Sequence, residues 1–106
     1  MKKSKRQCRA FNLHNGDCLP FLKTLSSNSV ESIVTDPPGG LNFMGIEWDS
    51  DRGGRDKWVE WLTDRLAEAY RVLKPGGHLV IWSYPRTSHW TRMALDDSSF
   101  EFVHNL

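Results

Sequence analysis

Residues 35–40 read Thr-Asp-Pro-Pro-Gly-Gly. Proline fixes its own φ and has no amide N–H, so two in a row end both strand and helix. The run before them, Ser32-Ile33-Val34-Thr35, is rich in β-branched residues and reads as a strand. A residue that precedes proline is driven to extended geometry. Asp36 is therefore held extended, its carboxylate presented at the strand's end, and the chain leaves in a stiff direction. The Pro37 carbonyl lies beside it with no secondary-structure partner in prospect. A carboxylate and a free carbonyl, side by side, are two acceptors. They match the two hydrogens of an NH2 group. Bonds to both hydrogens of an aromatic exocyclic amine keep its lone pair on nitrogen and make it a better nucleophile. A strand ending in a rigid loop, with aspartate as a local turn former, accounts for the same residues equally well.

The rest of the chain alternates strands with helices. Residues 11–14 form a short strand followed by an Asn-Gly-Asp turn, and residues 18–25 a short helix capped by Asp17. The catalytic-looking strand covers 31–36. A loop of about 20 residues follows, a length that in compact domains is usually functional or disordered. Asp56 can cap the next helix, whose apolar residues Trp58, Leu62, Leu66, Ala69 and Leu73 recur at helical spacing. Lys74-Pro75-Gly76-Gly77 stops that helix. Residues 78–84 are nearly all apolar, as in a strand covered on both faces. A helix over 88–96 and a strand over 100–103 complete the series. The pattern predicts an α/β fold, a mostly parallel sheet with covering helices. Ligands of such sheets sit beyond the carboxyl ends of the strands. Asp36, Pro37 and Pro38 lie at one such end, Ser83, Tyr84, Pro85 and Arg86 at another, and Asp17 at a third.

The 106 residues are one domain in length, 39 % hydrophobic and 25 % charged, with a net charge of +1. These values are globular averages and carry no polyanion-binding message. Residues 1–10 are the exception: Lys2, Lys3, Lys5, Arg6 and Arg9 make a basic flexible tail. No apolar run approaches the roughly 20 residues of a membrane span, and no signal peptide is legible. Two cysteines, Cys8 and Cys18, make no disulfide framework, so a cytoplasmic chain with free thiols is expected. No phosphate-binding glycine loop is present. The four histidines show no metal-ligand spacing. Of the five tryptophans, Trp58, Trp61 and Trp82 are expected in the core.

Asp36-Pro37-Pro38-Gly39 resembles the [DNS]-P-P-[YFW] motif of the DNA amino-methyltransferases, which methylate adenine N6 or cytosine N4. The resemblance extends over roughly residues 11–103. "NGDCLPFLKTLSSNSVESIVTDPP" looks like the opening of the permuted class, in which the catalytic half comes first. "GLNFMGIEWD" looks like the following loop in phage-type members, and "AYRVLKPGGHLVIW" like the next helix, turn and strand. "PRTSHWTRMALDDSSFEF", with Arg86, Thr87 and His89, is similar to the segment after that. The resemblance implies a partial Rossmann-like methyltransferase fold over 11–106, with S-adenosylmethionine as cofactor and DNA as partner, in the cytoplasm of a bacterial host or phage-infected cell. It implies Asp36, Pro37, Pro38 and Gly39 as the catalytic motif: Asp36 and Pro37 accept the amine hydrogens, and Pro38 fixes the turn. Asp17 and Asp36 are the implied cofactor-binding residues, Asp17 near the cofactor's adenine. The target base is flipped out of the stack.

Two departures stand out. Position 39 is glycine where the family has an aromatic that stacks on the base. Phe43 or Trp48 in the same loop can take that place, and Gly39→Tyr together with the missing half is expected to restore methylation. The target-recognition region and the F-x-G-x-G cofactor loop are absent from these residues, so the cofactor site is incomplete. The expectation is therefore a methyltransferase fragment, weak or inactive alone. A split enzyme completed by a partner half or a second copy, and a non-catalytic nucleic-acid or protein-binding module, are the alternatives. The first predicts partner-dependent methyl transfer, the second salt-dependent DNA binding indifferent to the cofactor.

Overall fold

The computed structural model describes residues 11–103. The basic segment 1–10, with Cys8, lies outside the described residues. Among the described residues three α-helices, α1 (Cys18–Lys23), α2 (Arg55–Val72) and α3 (Ser88–Asp97), accompany two strands, β1 (Val30–Thr35) and β2 (Leu73–Ile81). The strands pair in parallel, and α2 is the crossover between them. The class is the expected one, a parallel sheet with helices.

Helix α2 forms because its apolar residues return every three or four positions and bury one stripe. Trp58, Val59, Leu62, Leu66, Ala69 and Val72 are all buried. Trp58, Val59, Leu62 and Leu66 join Ala94 of α3 in the core, with Leu79 and Ile81 of β2 packed against them. The α2 N-cap is Gly54 rather than Asp56, which sits in the first turn; there its charge complements the helix dipole. Arg71, near the other end of α2, reaches across to α1. Its guanidinium donates to the Leu22 carbonyl at 2.9 Å and to Ser27 Oγ at 3.1 Å, while Glu68 holds its Nε at 3.1 Å. A cation on the last carbonyls of α1 satisfies groups that the helix leaves open.

Four expectations are corrected. Residues 11–14 are not a strand: Phe11 and Leu13 stand 71 % and 89 % exposed, with no neighbouring strand to pair with. Residues 100–103 are not a strand either. The Phe100 amide instead turns back to the Leu95 carbonyl at 3.1 Å and its ring packs on the core. Lys74-Pro75-Gly76-Gly77 does not cap α2. Leu73 already pairs with Val30, and the next pair is Ser32 with His78, so a step of two residues on β1 meets a step of five on β2. The extra residues are extruded as a bulge. Gly76 has φ +82°, and a Cβ at Gly77 would lie 2.9 Å and 3.0 Å from the Lys74 and Glu31 carbonyl oxygens. The glycines serve the bulge. Lastly, Trp82 is not core but 57 % exposed, because the chain has left the ladder at Ile81 and nothing described covers it.

Candidate active site at the carboxyl edge of the sheet

Thr35 pairs with Ile81, and the Trp82 amide donates to the Thr35 carbonyl at 3.0 Å. Asp36 is thus the first residue past the ladder. It is exposed, and Pro37 and Pro38 are half-buried. No described backbone amide bonds the Pro37 carbonyl. The two acceptors expected from the sequence stand at the edge where parallel sheets bind ligands.

The segment after the prolines dives inward, and both Gly39 and Gly40 are buried. Each is held against an aromatic ring. A Cβ on Gly39 would fall 2.8 Å from Tyr84 Cε2 and closer still to Cδ2, and one on Gly40 would fall 2.7 Å from Trp58 Nε1. Gly40 also has φ +70°, a backbone conformation that favours glycine. The Gly39 carbonyl accepts a buried 2.7 Å hydrogen bond from Thr87 Oγ1. Thr87 is the N-cap of α3, yet its hydroxyl makes no capping bond. It is spent on the motif, while the Thr87 amide donates to the Tyr84 carbonyl at 3.0 Å. One residue therefore ties the Asp36-Pro37-Pro38-Gly39 strap to the end of β2. A threonine before a helix carries no local signal that its hydroxyl is needed elsewhere. Arg86 and His89, its neighbours in the same segment, are exposed.

The loop beyond is closed by Asp49, which is 5 % exposed. The Phe43 amide donates to Asp49 Oδ2 at 3.0 Å, and the Asn42 amide to its carbonyl at 2.8 Å. Asn42 Oδ1 in turn accepts from the Asp51 amide at 3.0 Å. Asp49 went unnoticed in the sequence because a single acid in a charged loop has no distinguishing spacing. Phe43 and Trp48, the loop aromatics expected to replace one at position 39, point outward at 60 % and 63 % exposure. Gly39→Tyr as a single change does not fit, since Tyr84 already fills the space.

Asp17 caps α1, its Oδ1 accepting from the Leu19 amide at 3.0 Å. Both carboxylate oxygens also bond the Arg65 guanidinium of α2. The hydrogen bond to Arg65, then that from the Leu19 amide, hold its carboxyl below the ordinary 3.8. Arg65 and Arg52 both lie over the Trp61 ring, 4.7 Å and 3.7 Å from its centroid. A carboxylate offers about four acceptor directions; three are in use, and the side chain is half exposed. The fold thus gives Asp17 a structural partner on α2, apart from the tie that joins Gly39, Tyr84 and Thr87.

The model of a DNA methylase family matches residues 30–106, which take in Asp36-Pro37-Pro38, the bulge, Tyr84 and Thr87. The chain belongs to the DNA methylase family. The chain is 36 % identical over 74 residues to the type II methyltransferase M.BamHI of Bacillus amyloliquefaciens, 70 % of the chain and 18 % of the relative. It is 41 % identical over 69 residues to the putative methylase YubD of Escherichia coli, 61 % of the chain and 28 % of the relative. It is 38 % identical over 69 residues to the DNA adenine methyltransferase YhdJ of the same species, 63 % of the chain and 22 % of the relative. The chain therefore spans about a fifth to a quarter of these relatives. Membership implies S-adenosylmethionine and a DNA substrate for the family.

Proposed function

We propose that the chain carries the amine-activating part of a DNA N-methyltransferase, acting on an exocyclic amine of adenine or cytosine. The observation that carries the reading is the Asp36-Pro37-Pro38-Gly39 strap, pinned by Thr87 at the carboxyl edge of a parallel strand pair, within the residues that match the family. The Asp36 carboxylate and the Pro37 carbonyl accept the two amine hydrogens. They hold the nitrogen lone pair towards the incoming methyl group and stabilise the positive charge that grows on nitrogen. Groups fixed in advance do this with little reorganisation during the reaction. After transfer the surplus proton leaves by way of the exposed Asp36 side, which opens to water. No covalent intermediate with the protein is required.

The donor chemistry fits on the cofactor side as well. Asp17 keeps a free acceptor direction on a half-exposed carboxylate held ionised by Arg65, and Asp36 is exposed. These two residues would hold polar groups of S-adenosylmethionine, which supplies an electrophilic methyl when bound. Two open hollows among the described residues lie along α2 and α3, lined by Asp56, Glu60 and Asp64 in one and by Lys57, His89 and Trp90 in the other. They do not include Asp36 and are not assigned to the cofactor.

Calorimetric titration of the folded chain with S-adenosylmethionine tests the reading. Binding at about 1 mM or tighter, some −4 kcal/mol, lost in Asp17→Ala, supports it. A folded chain that takes up no cofactor at several times that concentration overturns cofactor use by these residues. A second reading, completion of the sheet by a partner chain, is favoured by the exposed Val34 and Trp82. It predicts methyl transfer to unmethylated DNA only when a complementing half is added.

A further inference from the structure

Position 39 is glycine for want of space, not for backbone freedom. Its φ lies outside the left-handed region, unlike those of Gly40, Gly53 and Gly54. What excludes a side chain is the Tyr84 ring, whose Cε2 and Cγ would lie 2.8 Å and 3.3 Å from a Cβ there. One part of that ring rests on the Gly39 backbone, yet Tyr84 is 46 % exposed. The ring is thus supported by the protein and open to solvent at once.

Its position is fixed twice. The Thr87 amide bonds the Tyr84 carbonyl at 3.0 Å while the Thr87 hydroxyl bonds the Gly39 carbonyl at 2.7 Å. Pro85 restricts the Tyr84 backbone to extended geometry. Tyr84 follows Ile81 by three residues and Gly39 follows Thr35 by four, and Ile81 and Thr35 are ladder partners. The ring therefore stands beside the strap that presents Asp36 and Pro37. A rigid, half-open aromatic beside two fixed acceptors is the arrangement that takes a planar, amine-bearing heterocycle: stacking holds the plane while the acceptors take the in-plane NH2.

We propose that Tyr84, reaching in from the end of β2, is the platform on which the target base stacks. The inference rests on the amine-activating reading of Asp36 and Pro37 and adds the residue that orients the base. The phenol oxygen has no part in it, so phenylalanine should serve as well. Phe43 and Trp48, largely exposed in the loop beyond, should be dispensable.

The probe is a short single-stranded oligonucleotide with one 2-aminopurine among thymines, whose emission is quenched when the base stacks. It is excited beyond tryptophan absorption, and the folding of every variant is checked by circular dichroism. The full chain should quench it on titration. Tyr84→Ala should weaken the quenching interaction about 5- to 100-fold, while Tyr84→Phe and Trp48→Ala leave it intact. The exchange variant Gly39→Tyr/Tyr84→Gly, which moves the ring to the strap without adding volume, should recover it. Should Tyr84→Ala fold poorly, the Phe and exchange variants still decide the matter, for both must quench. Quenching by the wild type that is unchanged in Tyr84→Ala overturns the role of Tyr84 and leaves the Asp36 reading standing. A folded wild-type chain that binds the oligonucleotide without quenching, or does not bind it, overturns the base-site reading and this inference together.

Discussion

At Thr87 a hydroxyl that elsewhere would cap a helix closes a buried bond to the Gly39 carbonyl. Thr87→Val keeps the shape and removes the donor, leaving a buried carbonyl without its partner. The expected loss is about 1–3 kcal/mol of stability, read as a lower urea midpoint; Thr87→Ser should recover most of it. Asp17 makes a prediction with a definite pH sense. Its folded pKa is depressed by Arg65 and the Leu19 amide, so its contribution is complete above the unfolded value of about 3.9. That contribution fades as pH falls through the lower, folded value. Thermal melts of wild type and Asp17→Asn should therefore differ by a constant amount above about pH 5 and converge in stronger acid. Asp17 is half exposed, so the constant difference will be small. Curves that stay parallel down to pH 2 would show that Asp17 is not ionised through Arg65. What the sequence revealed at this scale was the placement of Asp36, because proline chemistry is local. The partners of Gly39 were hidden, since Tyr84 and Thr87 lie more than 40 residues away along the chain.

Among the elements, α2 was readable almost residue by residue, because a helix writes its buried face into a period of 3.6. Only its end was misplaced: Leu73 kept the apolar rhythm but belongs to the strand. Leu66→Ala, in the middle of the buried stripe, should cost about 2–5 kcal/mol. Chemical denaturation should show the lower midpoint with an unchanged slope. The bulge at Lys74–Gly77 was invisible for the opposite reason. Its Pro-Gly-Gly has the composition of a helix stop, and only pairing with β1 shows that the residues are extruded from a ladder already begun. Residues 11–14 and 100–103 failed as strands on the same ground. Strand propensity is a statement about side chains on a pleated surface, and neither segment has a neighbour to supply that surface.

Over the whole molecule, the described sheet has two strands, and each presents one open edge. Val34 and Trp82 lie 67 % and 57 % exposed there or just beyond. Open apolar edges recruit further strands. Sedimentation should therefore show association that grows with concentration, and Val34→Lys should shift it towards monomer. A chain that stays monomeric at high concentration, with or without the lysine, would show that the edges are blunted by their own twist and bulge. The class of fold was legible because alternating periods of 3.6 and 2 leave few other layerings. The number of strands was not, since pairing is a property of two segments at once. No described helix is long and apolar enough to cross a membrane.

The packing of Tyr84 on Gly39 also constrains the order in which such a sequence can change over generations. An aromatic at 39 is blocked while the tyrosine stands at 84, and losing the tyrosine first leaves the strap with no ring at all. Either route between the two arrangements passes through a crowded or an empty intermediate. Relatives should therefore carry a bulky ring at one of the two positions but not at both.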